Sequence, residues 1–349
     1  MKSLLGAVLL LFWFFFAPLA YAQNFRIGVL VWSDQIAGQV AMLAGLESEA
    51  NRLMKQAKEQ DLPTFSLYIQ RAGDGQQGVT NQIQQMQTMI EQRVDLIIVQ
   101  PTDNAALAEQ LQAANRANIP VVAYDQYISG GHLSAFVTSN NYQAGYLNGE
   151  YMAHHFDNDK PIRLILVEYP LVSSTIDRVE GFLDALTQHK QPFQIIQRYQ
   201  AVEPVAGTRV GQKILNFFPN TGSIDAIFTV NDGGGLAMVK VLEEAGRDEL
   251  FVATIDGDPA SVERIRQGSI IKIDSAQFCG PLGAEAMRAA YAILTNTPVA
   301  EHWLVPVFPI TKETVSLYPG WLGPIPDKLT KPWHSTNPLW HGQMKVVVP

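Results

Sequence analysis

The chain has 349 residues, 47% of them hydrophobic and 17% charged, with a formal net charge of -8 and one cysteine. An acidic chain without a basic run excludes polyanion binding, which needs clustered Lys and Arg. Cys279 alone can form no internal disulfide, so the core must supply the stability.

Met1, Lys2, an apolar stretch over 4–19 and Ala20-Tyr21-Ala22 read as an export signal cleaved after Ala22, which places the mature protein in the periplasm. An uncleaved membrane anchor is the alternative, but the stretch is short for a span of about 20 residues. No second hydrophobic span follows, and the remaining length suits two α/β lobes.

After the signal, strands and helices alternate. Residues 26–31 read as a strand, and 39–55 as a helix with Val40, Leu43, Ala44 and Ala50 at helical spacing. A strand over 64–69 and a Gln-rich helix over 79–92 come next, the latter carrying Ile83, Met86, Met89 and Ile90 on one face. Strand 94–99, helix 105–117 and strand 119–124 complete a first series. A second follows: helix 142–154, strand 162–167, helix 176–187, strand 193–198, helix 207–217, strand 225–230, helix 234–245 and strand 250–256. Strand 270–273 and helix 281–294 close the pattern. Such alternation implies parallel sheets with right-handed crossovers, here α/β in two similar doubly wound lobes.

Four of the strands are unbroken apolar runs that end in carboxylates or amides. VDLIIV runs into Gln100-Pro101-Thr102-Asp103, IPVVAY into Asp125-Gln126, DAIFTV into Asn231-Asp232 and LFVATI into Asp256-Gly257. Strands of this kind are buried on both faces, and open α/β sheets bind ligands beyond the strands' carboxyl ends. Each such residue also has a structural reading. Asp103 is placed to cap the turn at Ala105, and Asn231-Asp232 before three glycines suits turn chemistry.

The segments IGVLVWSDQ, DLIIVQPTDNAAL, ANIPVVAYDQ, VTSNN, DRVEGF, DAIFTVND, ATIDGDP and the Gln277 turn before GAEAM, in that order, resemble the type I periplasmic sugar-binding proteins, most closely the ribose-binding group. The resemblance covers roughly 25–313. It implies two lobes joined by a three-stranded hinge with crossings near Ser139, Ala276 and Val307. The lobes would comprise 24–139 with 277–306, and 140–276 with 307–316. It also implies that Asp125, Asn231, Asp256 and Gln277 bind ligand, a set in which carboxylates accept from adjacent hydroxyls and amides both donate and accept.

The chain departs from that pattern. Gly38 and Gln39 stand where the ribose binders have two phenylalanines, Gln126 and Ile176 where they have arginines, and Val202 where they have a stacking phenylalanine. With both arginines gone, Asp125 and Asp256 are expected to be less compensated, which favours a donor-rich or even cationic ligand over ribose. Trp32 is the substitute aromatic wall, with core packing its alternative; Tyr127, Tyr142 and Tyr169 lie near in sequence. Gln39, Gln126 and Asp232 complete the candidate ligand contacts. Arg178 matches a family position, with pairing to Asp177 or Glu180 equally open.

No nucleophile elbow, phosphate loop, zinc helix or dinucleotide fingerprint occurs, and no histidine pair has metal-ligand spacing, so neither catalysis, metal nor cofactor is expected. The resemblance implies a monomeric solute-binding protein that delivers a sugar or polyol to an ABC permease. The alternative is a sensory receptor that reports to a histidine kinase or chemoreceptor. Residues 317–349 form an extension rich in Pro and Trp, expected to lie extended either as a strap over the lobes or as a docking element.

Overall fold

In the computed structural model, which describes residues 24–156 and 159–347, the apolar runs form strands and the striped segments form helices. The export signal and its cleavage point lie outside the described residues. The first elements are β1 (Asn24–Val31), α1 (Ala37–Gln60), β2 (Thr64–Arg71), α2 (Gly75–Glu91), β3 (Leu96–Val99), α3 (Ala108–Arg116), β4 (Val121–Tyr124) and β5 (Ala135–Ser139). The second series is α4 (Asn141–His155), β6 (Ile162–Glu168), α5 (Ser173–Gln188), β7 (Phe193–Gln200), α6 (Pro204–Phe217), β8 (Ala226–Thr229), α7 (Asp232–Glu244), β9 (Phe251–Asp256), α8 (Pro259–Gln267) and β10 (Ile271–Ala276). Then come α9 (Cys279–Leu294), β11 (His302–Val305), β12 (Phe308–Thr311) and, in the extension, β13 (Lys328–Thr330), β14 (Leu339–His341) and β15 (Lys345–Val346).

Two sheets result, one in the order β15-β11-β5-β4-β3-β1-β2, the other β12-β10-β9-β8-β6-β7. Neighbours run parallel except at one edge of each sheet, where β15 on β11 and β12 on β10 are antiparallel. The fold is α/β with two parallel-sheet lobes. The central strands β3, β4, β8 and β9 are buried along their whole length, as strands covered by helices on both faces must be. Helix α1 turns Met42, Leu46, Ala50 and Leu53 inward and runs to Gln60, five residues past the expected end, stopping where Asp61 takes a left-handed φ of 53°. Helix α3 starts late because Asp103 Oδ1 accepts from the amides of Ala105 and Ala106, which holds a turn ahead of it.

The chain passes between the sheets from β5 to α4, from β10 to α9 and from β11 to β12. These crossings are tied to one another. Ser139 Oγ donates to Gln277 Oε1 at 2.7 Å, and the Asn140 amide donates to the Val305 carbonyl at 2.8 Å.

At the far side of the cleft the lobes are latched. The Asn104 amide donates to the Leu171 carbonyl, the Ser173 amide to Asn104 Oδ1, the Tyr127 amide to Ser173 Oγ and the Ser174 amide to Gln126 Oε1. The chain is therefore closed about its hinge, with strand ends of both lobes facing a shared interior.

The extension folds back over both lobes. Lys331 Nζ, Trp333 Nε1 and Ser335 Oγ all donate to the buried carboxylate of Glu150 on α4. Further on, Trp340 Nε1 donates to the Val307 carbonyl in the third crossing, and β15 covers the edge of β11. Trp333 and Trp340 are buried, so the exposure that sequence alone would fear is avoided.

Candidate functional site

Asp125 follows β4 and Asp256 ends β9, so each lobe presents one carboxylate at a strand's carboxyl end. Both residues hold a positive φ, 65° and 132°, a conformation that side chains other than glycine's rarely adopt. Strain of this sort persists only where the surroundings over-determine it. Here the Asp256 carbonyl accepts from the Gln277 amide and from the Trp321 indole, and the Asp125 carbonyl accepts from Thr138 Oγ1.

The two carboxylates face a cavity with about 410 Å³ of empty space, counting its opening to solvent. Trp32, Gln39, Asp125, Gln126, Asn231, Asp256 and Gln277 line it, together with Ile36, Gly38, Met42, Val172, Ser174, Thr175, Arg178 and Val202. Asp232 is the exception among the candidates: it points behind the cavity wall, where its carboxyl oxygens accept from Thr254 Oγ1 and the Asp258 amide. The chain turns at Asn231 into α7, which sends the next side chain into the second lobe.

Both carboxylates already hold partners. Asp125 Oδ2 accepts from Gln100 Nε2 at 3.0 Å and the carboxylate is also bonded by the Gln126 side chain, and Asp256 Oδ1 accepts from Gln277 Nε2 at 2.6 Å and Arg178 NH1 at 3.0 Å. Lone pairs left on these oxygens can accept from hydroxyls. Asn231 is more heavily committed: its Oδ1 caps α7 at the Gly234 amide and its Nδ2 donates to the Val202 carbonyl, leaving one hydrogen and one lone pair. The structural and binding readings of that residue therefore coexist.

Arg178 corrects the expectation of an uncompensated site. It does not pair with Asp177 or Glu180; it is buried and donates to Asn141 Oδ1, the Val230 carbonyl and Asp256 Oδ1. Ile176, two residues earlier on α5, is exposed and lines no part of the cavity. Burial pushes both carboxyls above their ordinary range, while the Arg178 guanidinium and the amide bonds draw them back.

The cavity's aromatic surface comes from Trp32, which is buried. Tyr127 and Tyr142 are exposed outside it, and Tyr169 is half-buried beside another surface depression. Gln39 Oε1 accepts from the Ser33 amide, so this side chain shapes the loop after β1 as well as the wall. Sequence reasoning missed Met42, Ser174 and Thr175. The serine and threonine stood in plain view as a hydroxyl-rich start to α5, whereas Met42 looks like any core position of α1.

Beneath the Asp256 turn lies a second acidic group. Asp274 Oδ1 accepts from the Gly257 amide, and its carboxyl faces those of Asp232 and Asp256 and the hydroxyl of Ser261. Burial raises the Asp274 carboxyl to about 7, and raises Asp232 well above its usual value with Asp274 and Asp256 adding to it. The pair thus holds a proton that the unfolded chain has already released.

Because the folded values are raised, the pair's contribution to stability is full below about pH 4 and is lost as pH climbs, for Asp274 through about 7. Asp274→Asn keeps the acceptor for Gly257 and replaces the proton by an amide donor. The difference in melting temperature, variant minus wild type, is expected to grow in the variant's favour between pH 5.5 and 8 when followed by calorimetry. His155 and His302, whose values burial lowers, act in the opposite sense but equally in both proteins. A flat difference would show that no proton is held there.

Among the described residues no group of His, Cys, Asp and Glu could hold a metal ion, and no helix is long and apolar enough to cross a membrane.

A family model for the periplasmic binding protein domain matches residues 27–298. The ribose import binding protein of Escherichia coli (strain K12) is 25% identical over 257 residues, 73% of this chain and 83% of that protein. A xylitol-binding protein of Mycolicibacterium smegmatis is 26% identical over 248 residues, 68% of this chain and 67% of its own. Among solved structures, an ABC transporter solute binding protein from Bacillus halodurans with bound myo-inositol superposes with a TM-score of 0.74 at 25% identity, covering 86% of this chain and 98% of that one. A periplasmic solute binding protein from Actinobacillus succinogenes with bound D-allose gives 0.69 at 25% identity, covering 84% and 99%.

Proposed function

Since this chain belongs to the periplasmic binding protein domain family, we propose that it is the solute-binding subunit of an ABC transporter, trapping a neutral sugar or polyol between its lobes. The observation that carries the reading is the pair Asp125 and Asp256, one from each lobe, whose carboxylates line one cavity beside Arg178. Such oxygens accept from hydroxyls, and Trp32, Met42, Ile36, Val172 and Val202 offer apolar surface to ring carbons. Ligands bound by the relatives, ribose, xylitol, D-allose and myo-inositol, all carry several adjacent hydroxyls on a carbon frame.

In this reading Asp125, Asp256, Gln277, Asn231, Gln39 and Gln126 contact the ligand, and Trp32 packs on it. Gln126 also closes the lobes through Ser174. The lobes comprise 24–139 with 277–306, and 140–276 with 307–316, and the extension that begins at 317 lies on both over its described residues. The protein acts as a monomer in the periplasm after cleavage following Ala22, and it hands the ligand to a permease unchanged. The ligands of the relatives favour transport over signalling to a kinase.

A thermal-shift panel of D-ribose, D-allose, xylitol and myo-inositol at millimolar concentration tests it. A ligand at about a hundred times its Kd adds about 2.7 kcal/mol, which raises the melting point by several degrees. No shift with any of these, nor with other pentoses, hexoses and polyols, would overturn the reading.

A further inference from the structure

Trp321 reaches the cavity wall from neither lobe. It belongs to the extension, yet its indole Nε1 donates to the Asp256 carbonyl at 2.6 Å, on the residue that holds a φ of 132°. Its own carbonyl accepts from the Gly280 amide in the first turn of α9. Its ring edge lies against Gly38 of the cavity wall, where an added Cβ would stand 3.8 Å from Cζ2. The ring therefore stands between the start of α1 in one lobe and the end of β9 in the other. Gly280 permits this approach, since a side chain there would come within 2.9 Å of Leu322 Cδ2.

We propose that Trp321 is a positioning residue of the ligand site, supplied by the C-terminal extension: it holds the Asp256 backbone in its strained turn and closes the seam between Gly38 and Asp256. Removing the N–H leaves the Asp256 carbonyl with the Gln277 amide alone. The turn Asp256-Gly257-Asp258 then gains freedom, and the carboxylate is no longer pre-set for a ligand. The extension has a second tryptophan that serves as a matched control. Trp333 Nε1 donates to Glu150 Oε2 at 3.0 Å, on α4, and neither residue lines the cavity.

The proposal rests on the binding role of Asp256 given above, so its test has one arm without ligand. In the full mature chain, Trp321→Phe, Trp321→Tyr and Trp333→Phe are compared with wild type by hydrogen–deuterium exchange over 256–260 and by calorimetric titration with myo-inositol and D-allose. Both Trp321 variants are expected to exchange faster over 256–260 and to bind about tenfold more weakly, the size of one hydrogen bond. Trp333→Phe is expected to leave both readings as in wild type even where it lowers the melting temperature. Wild-type exchange in the Trp321 variants overturns the proposal whether or not either sugar binds. So does an affinity that falls equally in Trp333→Phe. If neither probe binds the wild type, the transport reading fails with these ligands, and the exchange arm alone decides the role of Trp321. Two variants are made so that a ring that fails to pack leaves the other to decide.

Discussion

Replacing Arg178 by Ala is expected to cost about 3–5 kcal/mol of stability, read as a shift in the urea midpoint at constant slope. The guanidinium is buried, and its fork serves Asn141, the Val230 carbonyl and Asp256 at once. Taking it away leaves the Asp256 carboxylate beside Asp125 with no cation between them and strips the Val230 carbonyl of its side-chain donor. The carboxyl then rises further and takes up a proton, which weakens its grip on hydroxyls. Arg178→Lys should recover part of the stability, because an ammonium restores the charge but not the geometry of the fork. A loss below about 1 kcal/mol for the Ala variant would mean that the ion pair is not formed in solution.

Asp125→Ala is expected to weaken sugar binding by roughly 10²- to 10⁴-fold, the equivalent of two charge-assisted hydrogen bonds at about 1.5–3 kcal/mol each. Asp125→Asn, which keeps an acceptor for Gln100 and tolerates the positive φ, should lose less. Asp256→Ala should weaken binding as well, with a larger stability loss than Asp125→Ala, since it leaves the charged Arg178 and Gln277 without this partner whereas Asp125→Ala leaves Gln100. Titration calorimetry beside thermal unfolding separates the two effects. Unchanged affinity in Asp125→Ala would remove this residue from the site.

These expectations show which parts of the molecule were legible beforehand. Unbroken apolar runs such as VDLIIV and LFVATI declared themselves as buried parallel strands, because few other structures tolerate them. The residues just past those runs could then be placed at the carboxyl ends of the strands, and the family resemblance singled out Asp125 and Asp256 among them. Arg178 and Asp232 were harder. Whether a side chain near a helix start turns inward depends on the rotation of that helix, and a shift of one residue moves it by about 100° around the axis. Thus Arg178 faces the cavity while Ile176 faces solvent, and Asp232 faces the core while Asn231 lines the cavity wall. The extension gave no periodic signal at all, since Pro-rich chain adopts whatever path its tryptophans find to pack.

Consider, finally, the order in which a chain emerging from its N-terminus could assemble this molecule. Strand β5 must wait for β11, which arrives only after the entire second sheet except β12 has been made, and β11 itself remains bare on one side until β15. Pairings so distant in sequence fold slowly, and an uncovered strand is a template for other chains. Synthesis halted before residue 302 would therefore yield a fragment whose β5 edge is open, with a high tendency to self-associate. β11 then closes the β5 edge and β15 covers β11 in turn, so a nick between β11 and β15 would expose β11 again.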